Sequence, residues 1–270
     1  MTQDPDTQSN LIHVAHLLAD AAREQTLSLF RSPAIATDDK GGAAGFDPVT
    51  QADRAAERAM RDILATERPD DGILGEEFGI TSGTSGLTWV LDPIDGTRAF
   101  ISGAPTWGVL IAVSDITGPI FGIIDQPYIG ERFEGGFGRA VTTGPMGQAD
   151  LIVRKGRGLA AATLLSTFPE VGTATERRAF EAVSKQVQLT RYGMDCYGYA
   201  MLARGQVDLV IEAGLQPYDV HAPIAVIRAA GGIVTNWQGG APHHGGQIIA
   251  AADPDMHTLA LSILSEVTGA

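Results

Sequence analysis

Apolar residues recur at three- and four-residue intervals early in the chain, through Leu11, Val14, Leu17, Leu18 and Ala21. This spacing predicts an amphipathic helix over residues 11–30. Residues 1–10 are polar and are expected to fray. A second helix is expected to open at Thr50-Gln51-Ala52-Asp53, to carry Ala56, Met60, Ile63 and Leu64 on one face, and to close near Pro69. Between the two runs a glycine-rich loop over 38–48, with Lys40 in it. The pattern then shortens. Residues 87–91, 108–113 and 119–124 are β-branched runs bounded by turn residues and read as strands, with 152–154 as another. Beyond about Asp150, helices over 175–187, 195–204, 219–230 and 253–267 alternate with strands over 207–211, 233–235 and 247–251. Interleaving in both halves predicts a layered α/β architecture, with a soft boundary between an N-terminal α+β half, 1–150, and an α/β half, 151–270.

Composition narrows the function. The chain has 270 residues, enough for a sizeable core, and 33 glycines, which its many short turns require. Against 32 Asp and Glu stand 19 Lys and Arg, a formal charge of -13. Phosphate backbones and anionic membranes are bound through clustered Lys and Arg, so neither is an expected partner. The single cysteine, Cys196, excludes an internal disulfide and a cysteine-only zinc site. No apolar run approaches the roughly 20 residues that span a bilayer. The acidic start, MTQDPDTQSN, is the opposite of a secretory leader, so a cytoplasmic protein is expected.

The chemistry lies in the acids. In Trp89-Val90-Leu91-Asp92-Pro93-Ile94-Asp95-Gly96-Thr97 an apolar strand runs into two aspartates held by proline and released by glycine. Such a turn can aim both carboxylates and the Ile94 carbonyl at one point, the all-oxygen environment that Mg²⁺ favours. A short helix from Gly96 and Thr97 would offer free amides to a phosphate. A plainer alternative makes Asp92 a cap or turn residue. Gly75-Glu76-Glu77-Phe78-Gly79 is equally an exposed acidic loop. Asp53 fits a capping box with Thr50, and Asp219 and Asp195 fit N-caps. Glu212 ends an apolar strand, where an acid needs a partner or a cleft. His243 and His244 are adjacent and cannot face one ion as an i, i+4 pair would, and the remaining histidines read as surface or half-buried. An acid-rich set without histidine favours Mg²⁺ over zinc.

Asp47-Pro-Val-Thr-Gln-Ala-Asp53, Gly75-Glu-Glu-Phe-Gly79, Trp89 to Thr97 and Pro217-Tyr-Asp-Val220 together resemble the inositol monophosphatase family of Mg²⁺-dependent, lithium-sensitive phosphatases. The likeness runs from the first helix to Ala230-Gly-Gly-Ile-Val234. Within the family the chain is most similar to bacterial histidinol-phosphate phosphatases, through DPIDGTRAFISG, Ile124-Asp-Gln-Pro-Tyr-Ile-Gly-Glu-Arg132, Asp195-Cys-Tyr-Gly-Tyr199 and Glu212-Ala-Gly-Leu-Gln-Pro-Tyr-Asp219. Two departures weaken an inositol assignment: Tyr218 stands where inositol phosphatases usually carry Trp, and Asp195-Cys196 where they tend to have small neutral residues.

The resemblance implies alternating α-β-α-β-α layers, as in the inositol monophosphatase and fructose-1,6-bisphosphatase fold, forming one compact catalytic unit. It implies two or three Mg²⁺ ions held by Glu76, Asp92, the Ile94 carbonyl, Asp95 and Asp219. Thr97 with Asp53 would orient the attacking water, which Glu76 holds through a metal. The amides of Gly96 and Thr97 would grip the phosphate. Glu212 would contact the organic part of the substrate, and Asp195 and Arg191 are further substrate contacts. The expected activity is hydrolysis of L-histidinol phosphate in histidine biosynthesis. Alternatives are an inositol monophosphatase, a nucleotide 3′-phosphatase, or an inactive sugar- or phosphate-binding homologue. A homodimer is implied, and whether the 38–46 loop closes over substrate stays open.

Overall fold

The structure is a computed structural model that describes residues 3–33, 37–39 and 48–268. Most of the 38–46 loop, Lys40 included, lies outside the described residues, as does Asp47.

Helix α1 (Pro5–Leu29) begins earlier than its apolar stripe, because Asp4 caps it through the amides of Asp6 and Thr7 and Pro5 occupies the first turn. The expected fraying up to residue 10 is therefore corrected. After the hairpin β1 (Thr37–Asp39) and β2 (Pro48–Thr50), helix α2 (Gln51–Glu67) is capped by Thr50 and buries Ala52, Ala56, Met60 and Leu64.

Eight strands build the first sheet: β3 (Gly72–Gly75), β4 (Gly79–Thr81), β5 (Thr88–Asp95), β6 (Gly108–Asp115), β7 (Gly118–Gln126), β8 (Glu131–Gly136), β9 (Arg139–Gly144) and β10 (Gly147–Asp150). Their order is β10-β9-β8-β7-β6-β5-β3-β4, antiparallel except where β3 meets β5. The short helix α3 (Thr97–Ile101) follows β5 directly. A second sheet of five strands, β11 (Thr163–Ser166), β12 (Leu189–Tyr192), β13 (Leu209–Leu215), β14 (Ile233–Thr235) and β15 (Gly246–Ala251), runs in the order β12-β11-β13-β15-β14. Four helices accompany it: α4 (Ala174–Ser184), α5 (Asp195–Ala203), α6 (Pro217–Ala229) and α7 (Pro254–Thr268).

Alternation along the strands assigns the layers. Trp89, Leu91, Val109, Ile111, Val113, Phe121 and Ile123 pack against α1 and α2. Val90, Leu110, Ala112 and Ile124 turn the other way, into a core shared with α5, α6 and the second sheet. Leu164, Leu209, Ile211 and Ile249 face α4 and α7. The result is the expected α-β-α-β-α stack. Both sheets are covered on both faces, which is why their central strands read as continuous apolar runs instead of alternating ones. Because the middle core draws on Val90, Leu110 and Phe133 as well as Leu202, Val226 and Ile248, it is built from both sides of residue 150.

Helix α6 is the buried central element, with Val220 to Ile227 shielded from water. It lies so close to the first sheet that a Cβ on Gly122 would stand 2.8 Å from the Ala222 backbone, and one on Gly135 would stand 2.5 Å from that of Val226. Residues 152–154 form no strand: Leu151 and Val153 are buried, but the Val153 amide bonds only to the Ala230 carbonyl. The strands from β8 to β10 escape the apolar pattern because Arg, Glu, Gly and Thr dominate them and β10 is fully exposed.

Gly135→Val is expected to destabilise the fold by about 1–3 kcal/mol through overpacking against a backbone that cannot retreat. A fall in the thermal midpoint of several degrees checks this; an unchanged midpoint contradicts the close helix–sheet contact.

Candidate active site

Two β-bulges bring the acids together. In β5, Asp92 pairs with Leu110 and Asp95 with Gly108, so three steps on one strand oppose two on its neighbour. An ordinary strand would put residues three apart on opposite faces, and the extra residue cancels that parity. Asp92 and Asp95 thus face the same cleft, by a bulge inside a continuing strand where a turn was expected. The same irregularity recurs in β13, where Glu212 pairs with Ile248 and Leu215 with Gly246. It ends the apolar strand with Glu212 on the cleft and hands the chain to α6 and Asp219.

One ligand atom from each of Asp92, Asp95 and Asp219 lies within 4.8 Å of the others. Asp92 is also in hydrogen-bonding contact with Glu76 and Asp219, an arrangement that needs protons or cations between the oxygens. These residues line a cleft of about 1110 Å³ between the sheets, with Ile94, Gly96, Thr97, Asp195 and Glu212 also in its wall. Among the described residues, no histidine lines it. Asp53 stands behind Glu76, close enough to feel its charge. Arg191 is elsewhere: it is exposed on the edge strand β12 and does not line the cleft, so the structure does not bring it to these acids.

Capping and the cleft turn out to be compatible. The second oxygen of Asp53 accepts from the Thr50 amide at 2.9 Å and its hydroxyl at 2.5 Å, completing a capping box, while its Oδ1 is buried with no hydrogen-bond partner among the described residues. Asp219 likewise takes the Gln216 amide at 2.7 Å with one oxygen. Asp92 does not cap α3; it accepts from the Ile94 amide, and the cap position is Gly96. Gly96 has φ 83, a left-handed conformation natural to glycine, and leaves the first turn of α3 without a side-chain cap. Asp195 does not cap α5 either. It has φ 46 and is held by the Thr106 hydroxyl at 2.7 Å.

Burial pushes Asp92, Asp95, Asp195 and Glu212 above the ordinary carboxyl range, and it pushes Asp53 up to about 6 and Asp219 up to about 7. Neighbouring carboxylates add to this at Asp53, Asp92, Asp95, Glu212 and Asp219, and the opposing influences come from hydroxyls, backbone amides, Cys196 and, at Asp219, a hydrogen bond with the Asp92 carboxyl. Among the described residues, no arginine or lysine is among the influences on these carboxyl groups, although Arg98 and Arg177 line the wider cleft. An all-oxygen donor set with excess negative charge fits hard divalent cations.

A model of the inositol monophosphatase family matches residues 7–268. The chain belongs to that family. The family is one of metal-dependent phosphatases, so the chain stands among phosphoric monoester hydrolases. It is 39% identical over 262 residues to the chloroplastic bifunctional phosphatase IMPL2 of Arabidopsis thaliana, covering 93% of this chain and 74% of that one. It is 33% identical to the histidinol-phosphatase of Streptomyces coelicolor, across 97% and 99% of the two chains. A solved inositol monophosphatase from Zymomonas mobilis superposes with a TM-score of 0.84 at 37% identity, covering 97% of this chain and all of that one. Among the described residues, no helix of this family member is long and apolar enough to cross a membrane.

Sequence reasoning missed the groups that fix these acids. Thr167 donates its amide and hydroxyl to Glu212, at 2.9 and 2.5 Å, and Tyr199 donates its hydroxyl at 2.7 Å. The Cys196 amide donates to Asp95 at 2.6 Å. Cys196 and Tyr199 left a trace, in the Asp195-Cys-Tyr-Gly-Tyr199 segment, and Thr167 left none.

Protons and cations compete for this cluster. The Asp219 carboxyl, raised to about 7, favours the protonated, metal-free fold at low pH, and a cation must expel that proton to bind. The rise in thermal midpoint on adding Mg²⁺ is therefore expected to be small at pH 5.5 and to grow through pH 8; calorimetry across that range checks it, and a pH-independent rise contradicts it.

Proposed function

We propose that the chain is a Mg²⁺-dependent phosphomonoesterase whose substrate is L-histidinol phosphate, released as L-histidinol and phosphate. The observation that carries the reading is the convergence of Asp92, Asp95 and Asp219, with Glu76 beside them, in a cleft that also presents Glu212 and Asp195. Phosphate-monoester hydrolysis needs up to ~10²¹-fold acceleration, and an acidic pocket would repel a phosphate dianion unless cations reverse the local sign.

In this reading Glu76, Asp92, the Ile94 carbonyl, Asp95 and Asp219 hold two or three Mg²⁺ ions. Such ions neutralise charge on the ester and lower the pKa of bound water. Thr97 lies next to the cluster, with its hydroxyl donating to the Ile94 carbonyl at 3.1 Å. Released from that carbonyl, the hydroxyl would orient the attacking water. Asp53 keeps one oxygen on its cap and has Oδ1 free to take the proton that Thr97 passes on. The Gly96 and Thr97 amides would receive phosphate oxygens. No Cys or Ser nucleophile is needed, and Cys196 is unsuited to the part: burial and Asp95 push its thiol well above the ordinary range.

Substrate choice rests on charge. Histidinol phosphate carries an ammonium and an imidazole, and inositol carries neutral hydroxyls. Glu212 is pinned at both oxygens and feels the charge of Asp195, so the two form an electronegative wall beside the metal cluster. The names of the Streptomyces coelicolor and Zymomonas mobilis relatives favour histidinol phosphate and inositol phosphate respectively, and the wall favours the first.

Steady-state kinetics decide between them. Histidinol phosphate is expected to exceed inositol 1-phosphate and nucleoside 3′-phosphates in kcat/KM, and the opposite ranking overturns the substrate. Glu212→Gln is expected to lower kcat/KM for histidinol phosphate by roughly tenfold to hundredfold, the worth of one charge-assisted hydrogen bond, and to leave inositol 1-phosphate nearly unaffected. Asp92→Asn is expected to cost at least about 10²-fold in kcat with folding retained, because several kcal/mol of transition-state stabilisation are lost. Wild-type protein that releases no phosphate from any of these esters with Mg²⁺ would instead indicate a binding protein.

A further inference from the structure

We propose that Glu57 is a positioning residue that holds the backbone carrying Glu76 and thereby sets the affinity of the cleft for its divalent cation. The inference rests on the reading of the cleft as a metal centre.

Glu57 lies on α2 one turn beyond Asp53, and its side chain is fully buried. Its Oε2 accepts from the Glu77 amide at 2.7 Å and its Oε1 from the Phe78 amide at 3.2 Å. A buried carboxylate is costly unless charge and hydrogen bonds compensate it, and here Arg61 donates to Oε1 at 2.8 Å. The same guanidinium donates onward to the Gly79 carbonyl at 2.6 Å and to the Thr81 hydroxyl at 2.9 Å. Glu57 and Arg61 therefore clamp the connection from β3 to β4 on the far side of Glu76. On the near side the Glu76 amide is tied to the Leu91 carbonyl at 3.2 Å, next to Asp92 in β5.

Gly75 makes the clamp possible. A Cβ there would stand 2.0 Å from Glu57 Oε1, so any larger residue would displace the carboxylate. The i, i+4 spacing of Asp53 and Glu57 puts both on one face of a rigid helix. One face of α2 thus fixes two things: the free oxygen of Asp53 and the place of Glu76 relative to Asp92. Without the clamp two consecutive amides lose their acceptor, and Glu76 loses its register against β5.

The test uses the folded full-length chain and Mn²⁺ as a spectroscopic stand-in for Mg²⁺. Glu57→Gln keeps the size but sets an NH₂ against an amide N–H. It is expected to weaken Mn²⁺ binding by about 10–100-fold, as loss of an outer partner of a metal ligand does. At saturating Mg²⁺, kcat should recover towards wild type with substrate KM unchanged. Arg61→Met should shift Mn²⁺ affinity in the same direction by less, and Asp62→Asn, on the exposed side of α2, should not shift it. A purely structural role for Glu57 would lower the thermal midpoint and leave Mn²⁺ affinity of the folded protein intact, and that result overturns the proposal. Should Glu57→Gln fail to fold, wild-type affinity in Arg61→Met overturns it equally. Wild-type protein that binds no divalent cation would refute the metal-centre reading itself, a distinguishable outcome that removes this inference with it.

Discussion

The constraint on which the rest depends is the mutual repulsion of carboxylates held in one cleft. Asp53, Asp92, Asp95, Asp195, Glu212 and Asp219 all stand above the ordinary carboxyl range because burial strips them of water, and at most of them neighbouring acids add to the effect. A protein relieves such a cluster with arginine, with protons or with metal ions. Elsewhere this chain uses arginine freely: Asp125 is bound by Arg23 and Arg132, Asp208 by Arg154, and Asp71 by Arg68. The contrast between those neutralised acids and the cleft marks the latter as a place built to receive positive charge from outside.

Holding the cluster open against its own repulsion falls to backbone geometry. Both sheets contribute a bulged strand, and both bulges end at the cleft. Two of the acids also complete capping boxes: Asp53 and Asp219, each in the first turn of its helix, commit one oxygen to the amide of the cap residue, while Asp219 lines the cleft and the other oxygen of Asp53 is buried behind it. A cap is rigid because it is tied to the helix it begins. Using it as a ligand or proton acceptor fixes the carboxylate with no further machinery. Glu212 is fixed differently, by a hydroxyl and an amide on one oxygen and a tyrosine hydroxyl on the other. The stack of layers supplies the stiffness beneath, since α6, which carries Asp219 in its first turn, is packed on the glycines of β7 and β8.

The long elements were legible in the sequence. The stripes of α1, α2, α4 and α7 announce themselves by periodicity because each buries a defined face, whereas β5, β6, β7, α5 and α6 show as apolar runs because they are buried on nearly every side. The short strands were not: β3 and β4 are glycine-rich, and β8 to β10 carry Arg, Glu and Thr at positions that a two-residue apolar period would need. The start of α1 was signalled by Asp4-Pro5, a cap and a first-turn proline, but polarity hid it.

For the candidate site, the sequence by itself determined which oxygen-bearing side chains exist and that no histidine or cysteine set competes with them. The motif around Asp92 and Asp95, with those around Asp53, Glu76 and Asp219, also determined the family. Tertiary structure alone decided which acids meet. A bulge in β5 changes the parity of two aspartates, an effect no hydrophobic period encodes, and Arg191 falls outside because β12 is an edge strand. It alone decided, too, that Glu57 and Arg61 reach the segment bearing Glu76. Local pattern reports whether a residue is buried, whereas the partner it meets depends on how distant segments are stacked, and that is a property of the whole fold.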